Sequence, residues 1–211
     1  MCGRFKMLDR DQLQLVIECL EQDLPLARDL DQLEDMPMAY PGSVVPVITP
    51  QGGHLGLQDL RWGFETDWRK GRVFNTRIET ALGSNPGMWE RPMAQGRCII
   101  ATPAFFEPHR EKTQRGQSGR QVKAQYLFEN PDVTPLLLAA VEADGCFSIV
   151  TTTPNASVAP IHDRMPFVLT QRELPLWFGP DYAMLADRSA IALTAQPEQP
   201  DALAPEQGSL F

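Results

Sequence analysis

The chain begins Met-Cys-Gly-Arg-Phe, which places a thiol at its second position. If Met1 is removed, Cys2 becomes the first residue and carries an α-amine and a thiol on adjacent carbons. The amine, with a pKa of about 8, can form a Schiff base with an aldehyde. The thiol can then close a five-membered thiazolidine ring, a step that an internal lysine lacks. A terminal cysteine therefore suits aldehyde trapping, and the alternative is a small cysteine packed in the core.

Three further segments carry polar groups that such chemistry needs. Asn75 and Arg77 lie two residues apart, so an extended backbone would put both on one face. Glu107 follows two phenylalanines, where burial would raise its carboxyl pKa and suit a general acid or base. His162 precedes an apolar segment and could carry protons near neutral pH. Each of these residues also has a structural interpretation, as a solvated carboxylate or a hydrogen-bonded core side chain.

The elements that must position these residues are one amphipathic helix and many short strands. Apolar residues recur at helical spacing from Leu13 to Leu24, with Asp9 as a suitable N-cap. The pattern predicts strands at 43–49, 54–64, 96–107, 124–130, 134–142 and 146–155, a polar hairpin loop over 110–123 and a short helix near 171–179. Because no βαβ alternation or repeat occurs, we expect an α+β fold with a mainly antiparallel core in one compact domain.

Composition and charge limit the kinds of protein this can be. The 211 residues contain no long apolar run and no secretory signal pattern, so a cytoplasmic, non-membrane protein is expected. The four cysteines are far apart and form no CxxC pair, so we expect no metal site and no disulfide framework. We also expect no cofactor. The net charge is −8, but residues 61–123 hold 12 Lys and Arg against 6 Asp and Glu, a local +6. That basic middle is either a phosphate-binding face or a scatter of solvated charges.

The composition changes near residue 195, which divides a domain at 1–195 from a flexible, acidic, Pro-rich tail at 196–211. The tail ends in Gln-Gly-Ser-Leu-Phe. This peptide resembles the motif that binds the bacterial sliding clamp, in which Leu210 and Phe211 would fill an apolar pocket and Gln207 would fix the orientation. The alternatives are a tail that docks on its own domain and a tail with no partner.

Taken together, five motifs resemble the SRAP family of abasic-site processing proteins. They are "MCGRF" at 1–5, "RWGF" at 61–64, "NTRIET" at 75–80, "RCIIATPAFFE" at 97–107 and "IHDRMPFVL" at 161–169. The resemblance implies a single compact domain with a barrel-like β core and flanking helices. It also implies a monomer that binds single-stranded DNA and, after Met1 removal, crosslinks to abasic sites through a thiazolidine.

The same resemblance implies a role for individual residues. Cys2 would be the nucleophile, Asn75 would position its amine, and Glu107 and His162 would move protons. The implied DNA contacts are Arg4, Arg77, Arg164, Trp62 and Trp68, although both tryptophans could equally pack in the core. Two other functions stay open at this point: a peptidase that acts on its own Met1 or on other proteins, and a non-catalytic adaptor that binds DNA or the clamp.

Overall fold

The computed structural model describes residues 2–26, 36–116, 118–185 and 187–199, with the backbone alone for Arg69. The strands in these ranges are β1 (Arg4–Lys6), β2 (Met38–Ala39), β3 (Val44–Gln51), β4 (His54–Trp62), β5 (Phe64–Thr66), β6 (Arg69–Val73), β7 (Asn75–Arg77), β8 (Arg97–Thr102), β9 (Ala104–Arg115), β10 (Gln121–Glu129), β11 (Leu136–Ala143), β12 (Cys146–Thr152), β13 (Met165–Pro166), β14 (Val168–Leu169) and β15 (Thr194–Pro197). The helices are α1 (Arg10–Glu21), α2 (Ile78–Ala81), α3 (Glu90–Gln95) and α4 (Leu174–Phe178), with 3₁₀ turns at Gly87–Trp89, Gln171–Glu173 and Tyr182–Leu185.

Two sheets carry most of the architecture. In the larger one the order β12-β4-β3-β8-β11 returns to β12 through a β11–β12 pairing, so these strands form a ring. Pairing is antiparallel except where β12 runs parallel to β4 and to β7. The second sheet has the order β15-β10-β9-β1-β2 and is antiparallel throughout. This arrangement confirms the predicted α+β class with a mainly antiparallel core.

Apolar side chains fill both faces of the ring. Along β11, alternate residues join two different clusters, because successive side chains of a strand point to opposite sides. Leu137, Ala139 and Val141 pack in the cluster that includes the helices, whereas Leu136, Leu138 and Ala140 pack in the cluster that includes Cys2 and Phe5. The start of the chain is therefore part of a hydrophobic core.

Helix α1 confirms the predicted start and face. Asp9 accepts a hydrogen bond from the backbone of Gln12, whose side chain in turn accepts one from the Asp9 backbone. This capping box satisfies donors that have no partner inside the helix. Leu13, Val16 and Ile17 are buried on one side. In the part of the chain that is described, no helix has the length and apolar character needed to cross a membrane.

Two segments differ from the sequence prediction. Residues 110–123 were expected to be a loop, but β9 and β10 continue as a long hairpin in which Arg115 pairs with Gln121. Cross-strand bonds and the buried Gln114 side chain, which accepts from the Gln125 backbone at 3.3 Å, stabilise this polar ribbon. Strand β15 also continues the sheet past the boundary at residue 195. The tail from residue 200 onward lies outside the described residues.

Candidate active site

Strand β1 fixes the start of the chain to the second sheet. Arg4 pairs with Phe106 and Phe5 with Phe105 across the ladder with β9. The Phe5 ring is buried against Trp62, with 4.9 Å between ring centroids. Phe5 therefore anchors the chain end that carries the candidate nucleophile. It has no predicted role from the sequence, although a large apolar residue three positions after Cys2 is a usable sign of an anchored terminus.

The Cys2 thiol is fully buried, and its Sγ donates a weak hydrogen bond to the Arg4 backbone oxygen at 3.7 Å. Burial, and after it the negative charge of Glu107, raise the pKa of the Cys2 thiol well above its ordinary value. The thiol is consequently protonated at neutral pH. A base must take its proton before or while the sulfur forms a bond.

Asn75 holds the backbone of Cys2. It lies at the start of β7, opposite Ile149 of β12, and its Nδ2 donates to the Cys2 carbonyl oxygen at 2.8 Å. Its Oδ1 is buried and has no hydrogen-bond partner among the described residues. Thr76, the next residue, is buried and bonds to Ser148, which leaves Asn75 and Arg77 on the other side of the strand. Asn75 thus offers a free acceptor beside Cys2.

Glu107 lies on β9, opposite Tyr126 of β10, and is fully buried. Burial raises the pKa of the Glu107 carboxyl to about 7, a rise that the positive charge of the amino terminus partly opposes. The carboxyl is therefore close to half protonated at neutral pH. A group in that state can both donate and accept a proton.

His162 faces this carboxyl from the loop before β13. Its Nε2 lies 3.8 Å from Oε2 of Glu107. Its Nδ1 lies 3.0 Å from both the backbone nitrogen and the backbone oxygen of Arg164, so the loop supports either neutral tautomer. Burial lowers the pKa of His162, which keeps the ring neutral. A neutral imidazole beside a half-protonated carboxyl can relay protons in either direction.

Arg164 does not face outward. Its guanidinium is buried and donates to both carboxylate oxygens of Glu79, at 2.5 and 3.0 Å, and to the Thr151 backbone oxygen at 2.9 Å. The expected contact between Arg164 and DNA is therefore corrected, because these bonds hold the group inside the protein. Arg164 instead ties the His162 loop to β12 and α2. Glu79 was not singled out from the sequence, although it lies within the Asn-Thr-Arg-Ile-Glu-Thr motif.

The two candidate tryptophans have different surroundings. Trp62 is fully buried, donates from Nε1 to the Phe74 oxygen at 2.9 Å and stacks on Phe147. It belongs to the core and presents no face to a ligand, which corrects its expected DNA contact. Trp68 lies in the turn between β5 and β6, and 70% of its surface is exposed. Only Trp68 of this pair has a ring available for stacking.

Cationic side chains surround the site. Arg77 is exposed and forms no ion pair with any residue in the described ranges. The part of the β9–β10 hairpin beyond Glu107, residues 108–123, carries five cationic residues against one acid, which is Glu111. The five are Arg110, Lys112, Arg115, Arg120 and Lys123. Arg110 braces the hairpin to the His162 loop through the oxygens of Ile161 and Ala159.

The sequence model described as "SOS response associated peptidase (SRAP)" matches residues 1–204. The chain belongs to the SRAP family. The abasic site processing protein YedK of Escherichia coli is 30% identical over 189 residues, which are 84% of this chain and 79% of the relative. The abasic site processing protein YoqW of Bacillus subtilis is 29% identical over 197 residues, 85% of this chain and 81% of the relative.

Solved structures show the same fold. A phage-related protein of Bordetella bronchiseptica aligns with a TM-score of 0.64 at 18% identity, covering 93% of both chains. A protein of Bacteroides thetaiotaomicron aligns with a TM-score of 0.61 at 20% identity, covering 93% of this chain and 91% of the other. The predicted fold is confirmed by these alignments, as the predicted family is by the sequence match.

The remaining expectations concern the tail and metals. Gln207, Leu210 and Phe211 lie outside the described residues, so clamp binding stays a prediction. Within the described ranges, no three or more His, Cys, Asp or Glu side chains are grouped as a metal site would require. The candidate active site consists of Cys2, Asn75, Glu107 and His162.

Proposed function

We propose that this protein binds single-stranded DNA and forms a covalent thiazolidine crosslink with abasic sites through Cys2 once Met1 has been removed. The observation that carries the proposal is the pair of the buried Glu107 and the partly buried His162 beside Cys2, whose carbonyl is held by Asn75. The names of the YedK and YoqW relatives, abasic site processing proteins, support the choice of substrate.

The chemistry follows from an abasic sugar in its ring-opened form, which is an aldehyde. The Cys2 amine adds to C1′, and the resulting carbinolamine loses water to give an imine. Sγ then adds to the imine carbon while the thiol proton passes to the nitrogen, which closes the ring. The net reaction releases one water and needs neither an oxidant nor a reductant. Asn75 Oδ1 would accept from the amine and aim its lone pair at the carbon.

Proton transfer is the role of the Glu107–His162 pair. The sugar opens when a base takes the proton of the C1′ hydroxyl and an acid returns one to the ring oxygen. A carboxyl with a pKa of about 7 can supply both steps at neutral pH. The same carboxyl would accept the thiol proton, which the raised pKa of Cys2 otherwise retains, and would pass a proton on to the imine nitrogen. Burial of the pair excludes water that would hydrolyse the imine.

Intact mass spectrometry with a single strand that carries one abasic site tests the proposal. The expected product is the chain without Met1 plus the oligonucleotide minus one water. A strand with a tetrahydrofuran analogue, which has no aldehyde, should give no adduct. Cys2→Ser keeps an amine and should give only an imine that borohydride traps, whereas Cys19→Ser is the matched control and should react fully. A protein that has lost Met1 and still forms no adduct would contradict the proposal.

A second activity fits the same groups. Cys2 Sγ could attack the Met1 carbonyl carbon as the thiol proton passes to Glu107, and the amide nitrogen would leave with a proton returned by Glu107. One water would then hydrolyse the thioester to give free methionine and the thiol. The description of the family as a peptidase supports this step. The chain can be expressed behind a removable leader, so that Met1 becomes terminal only after leader cleavage. Met1 should then be lost with time, and Glu107→Gln should retain it; equal loss in both proteins would contradict self-cleavage.

A further inference from the structure

Strand β15 brings the end of the described chain close to the candidate active site. It pairs antiparallel with β10, and Tyr126 lies opposite Pro197 on one side and opposite Glu107 on the other. The pairing continues one residue further, because the Glu198 backbone N–H donates to the Gln125 oxygen at 2.9 Å. The position of Glu198 is thus set by backbone bonds.

The Glu198 side chain forms an ion pair with Arg4. Its Oε2 accepts from Arg4 Nη2 at 2.7 Å, and the two side chains are 27% and 19% exposed. The Arg4 guanidinium also lies over the Phe106 ring, 3.9 Å from the centroid. Arg4 is therefore held between an aromatic face and a carboxylate, two residues from the candidate nucleophile.

We infer that Glu198 occupies the place of a DNA phosphate on Arg4, so that single-stranded DNA must displace it to bind there. The inference rests on the proposed function and on the contact between Arg4 and the strand that the family resemblance implies. A guanidinium offers the same pair of donors to a carboxylate and to a phosphate, and it cannot bind both through one edge. Glu198 is thus an affinity-determining residue of the DNA site.

The contact is suited to displacement rather than to permanent closure. A partly exposed ion pair contributes little to stability, so a phosphate can replace the carboxylate at small cost. The side chains of β15 are mostly exposed, and the strand has four residues. Such a short edge strand can also detach as a unit. Glu198, which directly follows the strand, would leave with it.

The test is the affinity of the full chain for an undamaged, fluorescently labelled single strand, measured by anisotropy at several salt concentrations. Glu198→Gln should bind about fivefold more tightly at low salt. The slope of log affinity against log salt should steepen by about 0.7, the value for one more neutralised phosphate. Glu129→Gln is the matched control, because Glu129 contacts Gln196 of the same strand but not Arg4. It should bind as the wild type does.

The double variant separates competition at Arg4 from general charge repulsion. In an Arg4→Gln background, Glu198→Gln should change affinity by less than about twofold, because the site of competition is gone. An equal gain in both backgrounds would overturn the inference and indicate long-range repulsion. Weaker binding by Glu198→Gln would also overturn it and make Glu198 a positioning residue for Arg4.

The two proposals fail in different ways. If the wild type crosslinks abasic strands and Glu198→Gln binds unchanged, only the role of Glu198 is wrong. If neither protein binds a single strand at any salt concentration, both the DNA function and the role of Glu198 are wrong.

Discussion

The reacting centre and the cationic rim around it differ in the charge state of their side chains. The reacting centre comprises Cys2, Asn75, Glu107 and His162, and the cationic rim comprises Arg4, Arg77 and Arg164. In the centre, burial raises the pKa values of the acids and lowers that of the histidine, which keeps the thiol and the imidazole neutral and the carboxyl about half protonated at neutral pH. In the rim, two of the three guanidiniums are paired with carboxylates of the same chain: Arg4 with Glu198 and Arg164 with Glu79.

This difference separates chemistry from binding. Neutral, desolvated groups in the centre are poised to exchange protons with a substrate, and that arrangement costs stability. Paired charges in the rim lower the attraction for phosphates without altering the reacting groups. Substitutions in the centre should therefore change the rate at saturating DNA, whereas substitutions in the rim should change affinity or folding.

The largest effect is expected for Glu107→Gln. Adduct formation should slow at least about 100-fold at saturating abasic DNA, because general acid–base catalysis is lost. The wild-type rate should fall more steeply than the variant's as the pH drops below about 7, because protonation of the amine slows both proteins and protonation of the carboxyl slows only the wild type. Glu111→Gln, on the exposed part of β9, is the control. Rate–pH profiles of the wild type, Glu107→Gln and Glu111→Gln test this prediction. Equal rates in all three proteins would show that Glu107 takes no part in the reaction.

The same variant should stabilise the fold at high pH. The folded pKa of Glu107 is raised from 4.5 to about 7, so the wild type loses stability as the pH rises from about 4.5 to about 7 and above. By the free energy of a pKa shift, Glu107→Gln should be more stable by about 3 kcal/mol at about pH 8 and by nothing below about pH 4.5. Urea unfolding at both pH values measures this. A larger gain at low pH than at high pH would contradict the raised pKa.

Substitutions of Arg164 and Arg77 should have smaller effects, on stability for Arg164 and on DNA affinity for Arg77. Arg164→Ala removes the partner of the half-exposed Glu79, and we expect a loss of about 2 kcal/mol in the free energy of unfolding. Arg77→Ala should unfold within about 0.5 kcal/mol of the wild type. It should bind single strands about fivefold more weakly, with a salt slope shallower by about 0.7. If Arg164→Ala loses DNA affinity and keeps its stability, Arg164 is a DNA contact after all.

The narrowest effect is expected for Trp68→Ala, which should change DNA affinity alone. An exposed indole in the β5–β6 turn can support an unstacked base, and its loss should weaken single-strand binding about fivefold. Trp68→Phe should restore most of the affinity because a phenyl ring still stacks. The crosslinking rate at saturating DNA should be unchanged in both variants. A slower crosslinking rate at saturating DNA would show that Trp68 takes part in the reaction and not only in binding.

Local sequence patterns predicted the apolar helix and strands well, but they missed the polar strands. The N-cap at Asp9 and the break between the strands predicted at 43–49 and 54–64 each depend on neighbouring residues, so the sequence displays them directly. The hairpin extension to Arg115 was missed because its strands are polar and are stabilised by cross-strand bonds. Strand β15 was missed for the same reason, since its residues are exposed and only the edge of β10 makes them a strand.

For this protein, the residue types and their order along the chain were enough to identify the candidate reacting groups. A cysteine after Met1, an amide, a carboxyl and an imidazole are chemical identities, and chemistry depends on type before position. Tertiary structure decided which of them are buried and which charges are already paired. Burial, pKa and ion pairing arise from residues as much as 194 positions apart, as Arg4 and Glu198 are. Only the folded structure therefore showed that Trp62 and Arg164 are buried and that Arg4 is paired with Glu198.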